Sequence, residues 1–111
     1  MSTVEVKKQD GVCWLRLNRS EVRNVWTAEM GDAITAQLEV IARDAAIRAV
    51  VITSNGKGFC SGVDVRGHFD VDVEGVADLR GMHHRRFMPA ILALRRLPKP
   101  VVCAINGASL G

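Results

Sequence analysis

The stretch AVVIT at residues 49–53 and the stretch VVCAI at residues 101–105 decide the fold class of this chain. Both runs are short, apolar and rich in β-branched residues, a composition typical of strands that are covered on both faces of a parallel sheet. The sequence before each run has the three- and four-residue periodicity of a helix. Because parallel strands need a crossover connection, this alternation predicts an α/β architecture.

The residues before the first run predict a β-hairpin followed by a helix. Residues 3–8 and 12–17 have extended patterns and flank the turn signal Asp10-Gly11. Thr27 is placed as the N-cap of the helix, with Glu29 and Asp32 near its positive end. The apolar stripe of this helix is predicted to comprise Met30, Ile34, Leu38, Ile41 and Ala45.

The residues between the two runs predict a second helical region, from about Val73 to Leu97. Pro89 lies inside this window and removes a backbone donor, so we expect a kink or two consecutive helices there. The sequence LPKP at residues 97–100 ends the helix before the second buried strand. The chain then stops on a glycine-bearing turn, so we expect residues 1–111 to be a truncated domain.

The composition limits the function classes. A 111-residue chain fits one domain, and 48% hydrophobic with 24% charged residues is ordinary for a globular protein. The net charge of +3 is too mild for a nucleic-acid binder. No apolar run approaches the ~20 residues of a membrane helix, and the N-terminus lacks the apolar core of a secretory signal. We therefore expect a cytoplasmic protein.

The three cysteines, Cys13, Cys60 and Cys103, are far apart and form no CxxC pair. This spacing argues against a zinc site. We expect buried free thiols in a reducing compartment and no metal.

Two strand-to-turn junctions carry the candidate chemistry: FCSGVD at residues 59–64 and NGASLG at residues 106–111. In each, an apolar strand runs into a glycine turn that could open a helix, where backbone N–H groups are unpaired. Glycine lets the backbone approach a ligand closely. Two adjacent junctions could aim two amides at one oxygen, forming an oxyanion hole. Glycine turns after strands are also common in purely structural loops, so the residues alone leave both interpretations open.

Four segments occur in a characteristic order: LNRSEVRN at 17–24, RAVVIT at 48–53, GFCSGVDV at 58–65 and LPKPVVCAING at 97–107. Their order and spacing resemble the enoyl-CoA hydratase/isomerase (crotonase) family over nearly the whole chain. The resemblance implies a crotonase-like fold, a ClpP/crotonase spiral of ββα units that is incomplete at the C-terminus. Residues 1–111 would form the N-terminal part of this single domain.

The resemblance also implies an enzyme that binds an acyl-CoA thioester and stabilises its enolate. The leading hypothesis is an enoyl-CoA hydratase that adds water to a 2-enoyl-CoA in fatty-acid or related acyl-CoA metabolism. Another crotonase-family reaction, such as enoyl-CoA isomerisation, and a non-catalytic CoA-binding or assembly fragment are the alternatives. The hydratase glutamates of the family fall beyond Gly111, so we expect the chain alone to be inactive.

Site residues follow from the resemblance position by position. The first oxyanion donor falls on the backbone N–H of Val63, and the second lies in the glycine cluster that begins at Gly111. The remaining positions on the acyl-CoA path are Arg23 and Val25 towards the nucleotide and Ser61, Gly62, Asp64 and Val65 along the thioester and pantetheine.

Coenzyme A is part of the substrate in this family, so no separate cofactor and no metal are expected. The resemblance implies a homo-trimer or hexamer for the full-length protein, and no nucleic-acid or membrane partner.

Some positions depart from the family pattern or remain open. Trp26 stands where a smaller apolar residue is usual, and Val63 is bulkier than the frequent alanine, so both could narrow the acyl pocket. Asp64 is expected to accept backbone N–H bonds at a helix start rather than to act as an acid. His83 and His84 stay open between structural and acid–base roles.

Overall fold

The structure is a computed structural model of the 111-residue chain, and it describes residues 2–63 and 83–111. Its strands and helices, in chain order, are β1 (Val4–Gln9), β2 (Val12–Leu17), α1 (Ala28–Arg43), β3 (Ala49–Ser54), α2 (Met88–Arg96) and β4 (Val101–Cys103).

The four strands form one mixed sheet in the order β1-β2-β3-β4. β1 pairs with β2 antiparallel, whereas β2–β3 and β3–β4 are parallel. At the hairpin turn Asp10 and Gly11 have φ of 52° and 81°, the left-handed conformation that two-residue hairpin turns require. The predicted hairpin and the α/β architecture are therefore confirmed.

Helix α1 covers one face of the sheet. The Thr27 side chain accepts a hydrogen bond from the Met30 N–H at 3.2 Å, which confirms the predicted N-cap. The predicted stripe is buried from Met30 to Ile41, but Ala45 is exposed. The helix ends at Arg43, because Asp44 turns to extended backbone so that the chain can enter β3.

Lys99 ties the segment before β4 to the end of α1. Its ammonium group donates to the backbone oxygens of Ile41 and Asp44, the latter at 2.7 Å. A cation at this position also opposes the negative end of the helix dipole. The contact holds the LPKP segment against α1, beside the start of β4.

Two consecutive helical segments meet next to Pro89, which confirms one of the two arrangements expected for this region. Residues His83–Phe87 form a π-helical turn, and α2 begins at Met88 with Pro89 in its first turn. Proline is tolerated there because the first helical N–H groups have no partner within the helix. The predicted helical residues 73–82 lie outside the described residues.

The prediction of a buried strand at residues 101–105 is wrong in length and in burial. β4 comprises only Val101–Cys103, with Val101 half-buried and Val102 57% exposed. The physical reason is its position: within the described part of the chain, β4 pairs with β3 alone and is an edge strand.

The cysteine prediction is confirmed for the free thiols and wrong for their burial. All three cysteines are free, but only Cys13 is buried, whereas Cys60 is half-buried and Cys103 lies exposed on β4. Among the described helices, none has the length and apolar character needed to cross a membrane.

Candidate active site

The two glycine junctions lie side by side. The N–H groups of Phe59 and Cys60 donate to the Ala108 carbonyl at 3.0 and 3.3 Å, and the Leu110 N–H donates to the Cys60 carbonyl at 2.9 Å. Cys60 and Ser109 form a parallel bridge. Residues 106–111 form no helix, with a bend at Gly107 and a bridge at Ser109, and the two junctions meet as short non-helical segments.

Gly62 lies at a point of close approach between the two junctions. Its φ is 99°, and a Cβ at this position would overlap the Gly111 carbonyl oxygen and lie 2.9 Å from the carbonyl carbon. By contrast, a Cβ at Gly111 would meet no described atom within 4 Å. The two glycines predicted to line one path are therefore neighbours.

Val63 follows directly after this contact. The backbone N–H of Trp26 donates to the Gly62 carbonyl at 2.7 Å, and Trp26 forms a parallel bridge with Val63. The Val63 N–H donates no backbone hydrogen bond within residues 2–63 and 83–111, and its side chain is 37% exposed. Within those residues, a backbone donor is thus left without a backbone acceptor where the two junctions meet. Asp64 and Val65, also predicted on this path, lie outside the described residues.

A concave region borders Arg23 and the loop at residues 55–58. Arg23 has φ of 57°, and its backbone carbonyl accepts a hydrogen bond from the Ser61 N–H at 3.1 Å. It borders an open cavity of about 510 Å³ to which Lys57 also contributes. The described lining contains no acidic side chain. It comprises Ser20, Arg23, Asn24, Asn55, Gly56, Lys57, Gly58 and Ala108. Val25 is half-buried and does not line this cavity.

Asn24 is a site residue that sequence reasoning missed. It is fully buried and adopts φ of 54°, which asparagine tolerates better than most residues. Its side-chain oxygen accepts from the Arg19 N–H at 2.7 Å, and its amide donates to the Asn55 and Gly58 carbonyls at 2.8 and 3.2 Å. Asn24 therefore holds the cavity loop against the chain at Arg23. The available signal in the sequence was an asparagine a few residues after the extended pattern of residues 12–17 ends.

Ser54 and Asn106 brace the same loop from the sheet. Ser54 Oγ donates to the Gly58 carbonyl at 2.9 Å and lies 2.7 Å from Asn106 Oδ1. The Asn106 amide donates to the Gly56 carbonyl at 2.9 Å. These bonds join the end of β3 and the loop at residues 56–58 to Asn106, which follows β4. The two glycine junctions are therefore held as one unit.

Comparison with known proteins identifies the family. The enoyl-CoA hydratase/isomerase family model matches residues 7–111. The chain belongs to the enoyl-CoA hydratase/isomerase family. It is 40% identical over 104 residues to the 1,2-epoxyphenylacetyl-CoA isomerase of Escherichia coli, covering 93% of this chain and 39% of that protein. It is 34% identical over 109 residues to a probable enoyl-CoA hydratase of Rhodobacter capsulatus, covering 98% of this chain and 40% of that protein.

Solved structures agree with this assignment. A probable enoyl-CoA hydratase from Mycobacterium smegmatis superposes with a TM-score of 0.82 at 27% identity, covering 96% of this chain and 42% of that one. The crotonase-like fold class is therefore confirmed. The chain spans about two fifths of the length of the curated relatives named above.

Within residues 2–63 and 83–111, two buried side-chain polar atoms have no hydrogen-bond partner. They are the indole nitrogen of Trp26 and the hydroxyl oxygen of Ser61. Trp26 is partly buried and packs against the core. Ser61 was predicted on the thioester path. Both residues flank Gly62 and Val63 through the backbone contacts given above.

The metal-ligating side chains and the two histidines considered from the sequence add no chemistry at the junctions within the described residues. Within residues 2–63 and 83–111, no group of three or more His, Cys, Asp or Glu side chains could hold a metal ion. His84 is exposed on the π-helical turn, and the side chain of His83 lies outside what the structure describes.

Proposed function

We propose that the protein is an acyl-CoA enzyme that stabilises a thioester enolate with backbone N–H groups. Val63 supplies the first donor, and the turn that begins at Gly111 supplies the second. The observation that carries the proposal is the Val63 N–H, which donates no backbone hydrogen bond within the described residues and lies directly beside the contact between Gly62 and Gly111. Residues Ser61, Asp64 and Val65 are proposed to continue the path along the thioester and pantetheine.

The chemistry requires such donors. A proton next to a thioester carbonyl becomes acidic only when the enolate charge that forms on the oxygen is stabilised. Fixed backbone amides do this without reorganising during the reaction, and loss of one such donor costs roughly 3–4 kcal/mol of transition-state stabilisation. Because the donor is backbone, its strength does not depend on the bulk of the Val63 side chain.

The cavity at Arg23 and Lys57 is proposed to receive the phosphate-bearing end of coenzyme A. Two cations border it, and no acidic residue is among its described lining. Arginine and lysine both bind phosphate oxygens, arginine in a bidentate manner. Val25 would follow Arg23 along this path. Coenzyme A is then part of the substrate, and no separate cofactor is proposed.

The proposed reaction is addition of water to a 2-enoyl-CoA in fatty-acid or related acyl-CoA catabolism. Support comes from the Rhodobacter relative, named a probable enoyl-CoA hydratase. A different crotonase-type reaction is the second candidate, favoured by the 40% identity to an isomerase of 1,2-epoxyphenylacetyl-CoA. Comparing crotonyl-CoA hydration with isomerisation of a 3-enoyl-CoA distinguishes the two, in a full-length protein that carries the family's hydratase glutamates together with residues 1–111.

The oxyanion proposal is tested with acetoacetyl-CoA, whose enolate absorbs in the near ultraviolet. We expect the unmodified protein to bind it and to raise the enolate absorbance, because two amides favour the charged form. Val63→Pro removes the donor and should abolish the increase, whereas Val63→Ala keeps the donor and should retain it. Circular dichroism of both variants checks folding.

Two outcomes contradict the proposal. One is the absence of calorimetric heat when acyl-CoA is titrated to millimolar concentration. The other is an equal enolate signal from folded Val63→Pro and Val63→Ala. Binding without an enolate signal and without turnover would favour the remaining alternative, a CoA-binding or assembly module.

The proposed assembly is a homo-trimer or a dimer of trimers, and the proposed compartment is the cytoplasm. The family resemblance supports the assembly. The free thiols, one of them exposed, are compatible with a reducing compartment. Sedimentation velocity of the purified protein tests the assembly, and a monomer across the micromolar range would contradict it.

A further inference from the structure

The loop at residues 55–58 carries Lys57 to the cavity proposed for the phosphate-bearing end of coenzyme A. Lys57 is exposed, so the course of its backbone determines where its ammonium group can reach. Side chains from other segments bind the loop on both sides of this residue, at the carbonyls of Asn55, Gly56 and Gly58. The backbone around this cation is therefore held in place.

Two buried side chains from different segments converge on the Gly58 carbonyl. Asn24 donates its amide to this carbonyl at 3.2 Å and to the Asn55 carbonyl at 2.8 Å. Ser54 donates to the same Gly58 carbonyl at 2.9 Å. Asn24 is fully buried and Ser54 is only 8% exposed. Both side chains therefore affect the cavity through the loop that they hold.

Asn24 also directly follows Arg23, the second cation of the cavity. Its side-chain oxygen accepts from the Arg19 N–H at 2.7 Å, which fixes the asparagine within its own segment. The Ser61 N–H donates to the Arg23 carbonyl at 3.1 Å and ties this segment to the chain beyond the loop. The bonds of Asn24 thus join the backbone that carries Arg23 to the backbone that carries Lys57.

We propose that Asn24 and Ser54 are positioning residues for the phosphate-bearing end of coenzyme A. They act through Arg23 and Lys57, because they hold the two cations at a spacing that suits the phosphate groups of one ligand. This inference rests on the proposed function and adds which residues prepare the cavity before the ligand binds.

The advantage of a fixed loop is entropic. A loop that became ordered only around a ligand would lose conformational freedom on binding, and this loss would lower the affinity. A loop that is already held in the free protein avoids the loss. Since pantetheine carries no phosphate, the effect should be confined to ligands that include the nucleotide end.

The test compares acetoacetyl-CoA with acetoacetyl-pantetheine by calorimetry. Asn24→Gly suits the left-handed backbone at this position, where φ is 54°, and removes the three side-chain bonds. We expect it to weaken acetoacetyl-CoA binding about ten-fold and to leave acetoacetyl-pantetheine binding unchanged. Ser54→Ala removes one loop bond and should weaken acetoacetyl-CoA alone, by about three-fold.

A double-mutant cycle tests whether Asn24 acts through Lys57. Lys57→Met removes the cation, so it should also weaken acetoacetyl-CoA alone. Its combination with Asn24→Gly should weaken binding by less than the product of the two separate factors, because the displaced loop no longer carries a charge. Added salt should lower the acetoacetyl-CoA affinity of Asn24→Gly less than that of the unmodified protein.

Cys13→Ala is the matched control for a loss of stability elsewhere. Cys13 is buried and pairs with Val50, near the opposite end of β3 from Ser54. This variant should bind both thioesters as the unmodified protein does. Circular dichroism checks that each variant folds, and Ser54→Ala decides the test if Asn24→Gly does not fold.

The inference is overturned if folded Asn24→Gly weakens both thioesters by the same factor or weakens neither, because the side chain then serves the fold alone. Effects of Asn24→Gly and Lys57→Met that simply multiply also overturn it. If the unmodified protein binds neither thioester, the proposed function fails first and the inference with it. Selective weakening of acetoacetyl-CoA supports the inference, whereas its absence in a protein that still binds acetoacetyl-CoA leaves the proposed function standing.

Discussion

At position 62, two independent constraints act on one residue. The backbone has φ of 99°, and a Cβ would overlap the Gly111 carbonyl oxygen. Gly58, in the same loop region, has neither constraint. A Cβ at this position would find its nearest atom, the Ala108 oxygen, at 3.9 Å. Among residues that look alike in the sequence, the surroundings therefore decide which glycine is indispensable.

Gly62→Ala is expected to lower the free energy of unfolding by about 1–3 kcal/mol, because alanine must adopt a left-handed conformation and displace the Gly111 turn. Gly58→Ala is the control and should change it by less than ~1 kcal/mol. Urea denaturation measures both. Similar losses for the two variants would mean that the approach of the two junctions is not tight.

Cys13 predicts a specific pH dependence of stability. Burial raises the pKa of its thiol above the ordinary 9.0, and the nearby Lys8 only partly opposes this. Since the folded state holds the proton more tightly than the unfolded state, stability is full below pH 9.0 and declines as the pH rises towards the folded-state pKa.

Cys13→Ala should remove this part of the alkaline decline, while lowering stability at every pH through the lost packing. Cys103→Ala is the matched control, because that thiol is exposed. The measurement is the free energy of unfolding from pH 7 to 10.5. A difference between Cys13→Ala and the unmodified protein that stays constant across this range would contradict the prediction.

Helix α1 is stabilised at both ends by side chains of different origin. Thr27 caps its N-terminus from the adjoining residue, and Lys99 binds carbonyls at its C-terminus from the far end of the chain. The first interaction is local, so the sequence pattern predicts it. The second joins α1 to the segment that leads into β4, and it depends on how helix and sheet are placed together.

Thr27→Ala should lower the free energy of unfolding by about 1 kcal/mol, because the Met30 N–H loses its acceptor. Thr27→Ser keeps an oxygen at the cap and should retain most of the stability. Thermal or urea unfolding of the pair tests this. Equal destabilisation by both variants would show that the Thr27 methyl group, rather than the cap, matters.

For the whole molecule, strand order determines where the backbone is best protected. β2 and β3 have a partner on each side, whereas β1 and β4 are each paired on one side in the described sheet. The buried side chains of Leu15 and Val50 lie on these central strands. The edge strand β4 is short, and its Val102 side chain is largely exposed.

Amide hydrogen exchange should therefore be slowest in β2 and β3 and fastest among the strands in β4. Exposed backbone bonds open locally at low cost, whereas central strands open only with the global unfolding of the fold. Nuclear magnetic resonance of the exchanging protein measures this. Equal protection of Val102 and Val51 would contradict the strand order.

The sequence by itself determined the elements whose signals are local. Asp10-Gly11 specified the hairpin turn, Thr27 the start of α1, and the β-branched run at residues 49–53 the parallel strand. Each depends on backbone preference or side-chain period within a few residues. The four ordered segments likewise carried the resemblance to the family that the comparisons confirm.

Only the tertiary structure decided the features that depend on distant residues. These are the approach of Gly62 to Gly111, the burial of Asn24 and the exposure of Val102. The physical reason is that burial and hydrogen-bond pairing belong to the neighbours of a residue in space. A sequence pattern states which groups need partners, and the packing of the sheet and helices determines which groups find them.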